Sequence, residues 1–180
     1  MIKFNVASIN KCTEAEGPYK RLCIWFQGCN ICCRGCCNPD YQPLVARHIM
    51  SLKDLIEVIK EAKVQFGIEG VTYSGGEPTL QQNLPYLTQK IKDMRLGVIS
   101  FTGRRYEDVS GILKGCDMVL DGAYDCFAPE KERRLLGSVN QRIIFLTDRY
   151  KNDVGWFKSS DIKTVEVNVC KVILANGDFF

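Results

Sequence analysis

The chain has 180 residues, 46% hydrophobic and 25% charged, with a net charge of +3; this suffices for one domain with a full core, and without a run of five like charges nothing points to nucleic acid or a polybasic membrane patch. Ten cysteines, no apolar leader at Met1–Val6 and no apolar span of 18 residues predict a cytoplasmic protein with reduced thiols. The single histidine, His48, excludes sites built from several His ligands and argues against a Ser-His or Cys-His nucleophile.

Residues 2–8 alternate apolar and polar side chains and are expected as an edge strand. Glu14–Lys20 reads as a polar turn around Gly17-Pro18, and Leu22–Phe26 as a short buried strand leading into a cysteine-rich loop that Pro39 and Pro43 keep irregular. His48 is expected in a surface loop. Ser51 and Asp54 form a capping box, and Leu52, Leu55, Ile56 and Ile59 mark the buried stripe of a helix to about Phe66. Gly67 and Gly70 lead to a strand at Val71–Ser74, followed by Gly75-Gly-Glu-Pro78 and a helix over roughly 80–94. A strand at Val98–Phe101 with a Thr102-Gly103 turn, a helix at about 106–114 and a strand at Met118–Leu120 come next. Asp121–Ser138 is polar and without periodicity; Ile143–Leu146 and Val165–Leu174 read as strands.

This alternation predicts right-handed βαβ units. Four such units are too few to close an eight-stranded barrel, so the expected fold is α/β, an open partial (β/α) barrel with a mainly parallel, curved sheet. Functional groups gather at the carboxyl ends of parallel strands. The cysteine loop, the Gly-Gly-Glu turn and the Ser100–Gly103 turn all follow strands and are expected on one rim.

Five cysteines fall within residues 29–37, and only Cys29, Cys33 and Cys36 fit the spacing C-x3-C-x2-C. A [4Fe–4S] cluster normally takes four cysteines, one per iron, so three leave one iron open to a small ligand. A structural zinc site is the alternative: the loop parses as the pairs Cys29/Cys32 and Cys33/Cys36, with Cys37 or Cys23 as another donor, although no spacer separates the pairs. A disulfide framework or a purely structural turn fits a chain of this size less well. Gly75 and Gly76 remove side chains where a ligand would approach the backbone. Their carbonyls and Glu77 make an acceptor-rich pocket suited to an ammonium group.

Cys29-x3-Cys33-x2-Cys36 with Gly75-Gly-Glu77 on a partial barrel resembles the radical S-adenosylmethionine superfamily. Gly17-Pro18, Arg21–Gly28, Arg34–Asn38, Ser74–Pro78, Thr102-Gly103, Asp121-Gly122 and Gly137–Arg142, in that order, resemble the activating enzymes of anaerobic ribonucleotide reductase and other glycyl-radical enzymes. The likeness covers a core of about residues 10–147 within a single domain over 1–180, leaving 148–180 as an extension packed on it. It implies that Cys29, Cys33 and Cys36 hold a [4Fe–4S] cluster whose fourth iron takes the amino and carboxylate groups of S-adenosylmethionine. Gly75, Gly76 and Glu77 would receive the amino group, backbone around Gly35 and Cys37 would lie against the adenosine, and Ser100 and Thr102 would meet the ribose or carboxylate. One electron from an external flavodoxin-like or ferredoxin-like reductant would give methionine and a 5′-deoxyadenosyl radical, which in activases removes a hydrogen from a glycine of a large partner protein. The chain departs from that pattern at Val139, in the bystander thiols Cys32 and Cys37, and in the last thirty or so residues, where Trp156, Phe157, Phe179 and Phe180 would cover the pocket of an enzyme acting directly on a peptide or metabolite. A third class, a non-catalytic iron–sulfur or zinc module, would leave Gly75-Gly-Glu77 without purpose.

Overall fold

Alternation along the strands decides which side chains reach which face of the molecule. The computed structural model describes residues 1–158. Its strands are β1 (Lys3–Thr13), β2 (Arg21–Phe26), β3 (His48–Ser51), β4 (Gly70–Gly75), β5 (Gly97–Thr102), β6 (Met118–Asp121) and β7 (Arg142–Phe145). They form one open sheet in the order β3-β1-β2-β4-β5-β6-β7. β2, β4, β5 and β6 run parallel at its centre, and antiparallel pairings add β1, β3 and β7 outside them.

Leu22, Ile24, Phe26, Val71, Tyr73 and Val98 point to one face, where they pack on α1 (Leu52–Phe66) and α2 (Leu84–Asp93) through Leu55, Ile59, Leu87 and Ile91. Burying each such side chain stabilises the fold by about 1.5–3 kcal/mol. α1 starts as expected: Ser51 Oγ accepts the Asp54 amide at 3.2 Å and the Asp54 carboxylate accepts the Ser51 amide at 3.1 Å. It stops at Gly67, whose φ of 64° is left-handed. On the opposite face Ile99, Met118 and Leu120 pack against Leu136, Tyr150 and Phe157.

The amino end of that second face is closed by Arg21, which is 0% exposed. Its guanidinium donates to Thr72 Oγ1 at 2.7 Å, the Val71 carbonyl at 2.9 Å, Glu69 Oε2 at 2.9 Å and Tyr150 Oη at 2.8 Å. A buried charge with this many partners ties β2, β4 and the segment after β7 together.

Several expectations are corrected. The first strand is longer than 2–8 and is no edge, because Lys3–Val6 pair with the outer strand β3; His48, expected in a loop, opens that strand. The helix expected over 80–94 is a 3₁₀ turn at Pro78–Leu80 and then α2, since Pro85 is tolerated only in a first helical turn. The helix expected over 106–114 is the four-residue α3 (Tyr106–Val109), cut short by Ser110-Gly111. Three parallel steps are present rather than four: residues 122–141 contain no crossover helix, and β7 returns antiparallel to β6. The strand expected at Val165–Leu174 and most of the extension lie outside the described residues.

Candidate functional site

The rim expected from the strand order is present. The carboxyl ends of β2, β4, β5 and β6 open on a cavity of about 340 Å³. Cys29, Cys33, Cys36 and Cys37 line one wall; Gly75, Gly76, Glu77 and Thr102 line another.

Four of the five loop thiols line the cavity, and backbone amides point at sulfur among them. The Ile31 amide points at Cys29 Sγ at 3.5 Å and the Asn38 amide at Cys36 Sγ at 3.4 Å. Cys33 has its thiol pushed up by burial, an effect that the Tyr124 backbone amide partly offsets and that Cys29 and Cys36 reinforce. Amide donors aimed at sulfur are the environment that anionic iron–sulfur ligands need. Cys32 is exposed, with φ of 54°, and is not part of the cavity wall. Cys29, Cys33 and Cys36 all lie on the cavity wall and are the donors that would hold a cluster.

The two glycines at the end of β4 line the cavity and also serve a packing purpose not expected from the sequence. A Cβ on Gly75 would lie 2.4 Å from the Phe26 nitrogen and 2.5 Å from its oxygen. A Cβ on Gly76 would lie 2.3 Å from the Gly28 oxygen and 2.7 Å from the Tyr41 oxygen. The missing side chains therefore make room for the backbone of β2 and of the cysteine loop. The Gly76 amide donates to the Phe26 carbonyl at 2.9 Å, and the Glu77 amide to Gly28 at 2.8 Å. The turn and the cysteine loop are fastened backbone to backbone.

Glu77 is 1% exposed. Its Oε1 accepts from the Thr79 amide at 3.0 Å, Thr79 Oγ1 at 2.6 Å and Thr102 Oγ1 at 2.8 Å, and its Oε2 from the Gly103 amide at 2.9 Å. The carboxylate thus braces the end of β4 to the end of β5. Oε2 has capacity for one more donor.

Two expected contacts lie elsewhere. Ser100 does not line the cavity: alternation places it on the helix-covered face with Val98, and its hydroxyl donates to the Phe101 carbonyl at 3.1 Å. Gly35 sits outside the cavity wall with φ of 72°, against Tyr124 and Cys126. Residues unforeseen in the sequence complete the site. Trp25, Phe101 and Leu120 line the cavity from alternate strand positions, a pattern visible once the strands are paired. Gln141, also on the wall, donates to the Gly122 carbonyl at 2.8 Å and accepts the Gly137 amide at 2.7 Å. It thereby joins two of the sequence's lesser motifs.

Residues 15–144 match the family model described as a 4Fe–4S single cluster domain. Over 151 residues the chain is 26% identical to the anaerobic ribonucleoside-triphosphate reductase-activating protein of Enterobacteria phage T4, covering 80% of this chain and 96% of that protein. It is 29% identical over 144 residues to the pyruvate formate-lyase-activating enzyme of Clostridium pasteurianum, covering 74% of this chain and 60% of that one. Among solved structures, QueE from Escherichia coli aligns over 57% of this chain and 54% of that chain, with a TM-score of 0.49 and 20% identity. With a family model matched from residue 15 to residue 144, the chain belongs to the 4Fe–4S single-cluster domain family.

Proposed function

We propose that this protein is an activase that uses a [4Fe–4S] cluster and S-adenosylmethionine to generate a glycyl radical on a large partner enzyme, drawing one electron from an external carrier of the flavodoxin or ferredoxin kind. When bound, the cluster and its ligand supply the radical chemistry; the protein supplies binding, orientation and exclusion of water. Cys29, Cys33 and Cys36 would hold the cluster. The carbonyls of Gly75 and Gly76, with Glu77 Oε2, receive the ammonium group, and Thr79 and Thr102 keep that carboxylate in place. Backbone around Cys37, which is on the same wall, would lie against the adenosine.

The observation that carries this reading is the single cavity that joins the three thiols to the Gly-Gly-Glu turn.

The test is anaerobic reconstitution followed by addition of dithionite and S-adenosylmethionine. Formation of 5′-deoxyadenosine is expected, and a glycyl-radical signal on a copurifying large enzyme. Cys33→Ala abolishes both bound iron and turnover, whereas Cys32→Ala retains both. A fully loaded cluster that cleaves nothing would overturn the proposal.

A further inference from the structure

The outer side of the cysteine loop carries positive charge. Arg34 lies over the Phe127 ring at 5.5 Å, and that ring is 80% exposed. Arg104 donates to the amide oxygen of Asn30 at 2.8 Å. Among the described residues neither arginine forms an ion pair. Arg105 reaches the buried Asp121 only at 4.0 Å, and Asp121 is already bound by Arg142. Of the nearby acids, Glu107 is paired with Arg142 and Asp125 accepts the Phe127 amide at 2.9 Å.

These groups share one face. Gly103 packs on Ile31, and Gly35 packs on Tyr124 and Cys126, so the cysteine loop lies between the turn after β5 and the segment after β6. Arg34, Arg104, Arg105, Phe127 and the exposed Cys32 surround its outer side, and none of them lines the cavity. A substrate that surrenders a hydrogen must enter the cavity. An electron donor need only come close to the loop that holds the metal.

Resting on the proposed function, we infer that this face docks the electron donor, a small acidic one-electron carrier protein. Carboxylates of the carrier meet Arg34, Arg104 and Arg105, and an apolar spot beside its redox centre meets Phe127. In the step itself the reduced carrier loses one electron and the cluster gains it; no bond forms or breaks. Complementary charge speeds such an encounter, and salt screens it.

Flavodoxin hydroquinone serves as the probe, mixed anaerobically with the cluster-loaded full chain while cluster absorbance is followed. For the unmodified protein the second-order rate falls steeply as salt rises from low ionic strength to ~0.3 M. Arg34→Glu and Arg104→Glu each lower the low-salt rate by about tenfold or more. Arg105→Glu lowers it less, and all three retain dithionite-driven formation of 5′-deoxyadenosine. Unchanged carrier rates in both charge reversals overturn the inference, as does a loss confined to capture of the glycyl-radical partner. If dithionite yields no 5′-deoxyadenosine from the unmodified loaded protein, the proposed function has failed. The carrier rates then still report on docking.

Discussion

Gly76 shows how little freedom single positions around the cavity have. Its backbone lies so close to the carbonyls of Gly28 and Tyr41 that one methyl group has nowhere to go. The atoms it would strike are main chain, which cannot rotate away. Gly76→Ala is therefore expected to push the cysteine loop from the end of β4 and destabilise the apo-protein by at least ~1–3 kcal/mol. Urea denaturation reads the stability; iron retained after reconstitution reads the loop, and both should fall. Glu77 is constrained by donors instead of sterics, since Thr79, Thr102 and Gly103 together hold it. That it faces the site could be read from the motif. That four bonds already surround it could not, because Thr102 and Gly103 are some 25 residues away along the chain.

At the scale of elements, the parts set by neighbours in sequence were legible and those set by distant partners were not. The Ser51 capping box and the Gly67 stop are local chemistry, and α1 lies where that chemistry puts it. The direction of β7 depends on how 122–141 folds back, which no periodicity reveals. Arg142 holds that return in place: its guanidinium binds Asp121 at the end of β6 and Glu107 on α3. Burial works to raise the Asp121 carboxyl, but hydrogen bonds from Arg142 and the Tyr106 amide outweigh it and leave the group below its ordinary value. A carboxyl depressed on folding contributes stability that is complete above the unfolded value, near 3.9, and is lost as pH falls through the folded one. Arg142→Gln removes the chief opposing interaction and leaves the carboxylate buried. The urea midpoint at neutrality should be lower, and its decline into acid smaller than in the unmodified protein, because the folded carboxyl no longer lies below the unfolded one.

Across the whole molecule, the helix-side core and the cysteine loop are separate bodies of structure. The core residues belong to β1, β2, β4–β6, α1, α2 and the connections that carry Ile68, Leu96, Leu113 and Cys116, and none belongs to residues 29–47. Removal of iron by a chelator under oxidising conditions should therefore abolish the visible absorbance while far-UV circular dichroism and a single cooperative unfolding transition persist. Collapse of the dichroism on iron loss would show that metal binding and folding are linked here, as in small metal-dependent domains. No helix among the described residues is long and apolar enough to cross a membrane.

Arg21, Glu69 and Tyr150 close the far end of the sheet, away from the strand ends on which the cavity opens. In the proposed activase, a large protein seated over that opening would cover the small molecules beneath it, and repeated rounds would then wait on the parting of the two bodies.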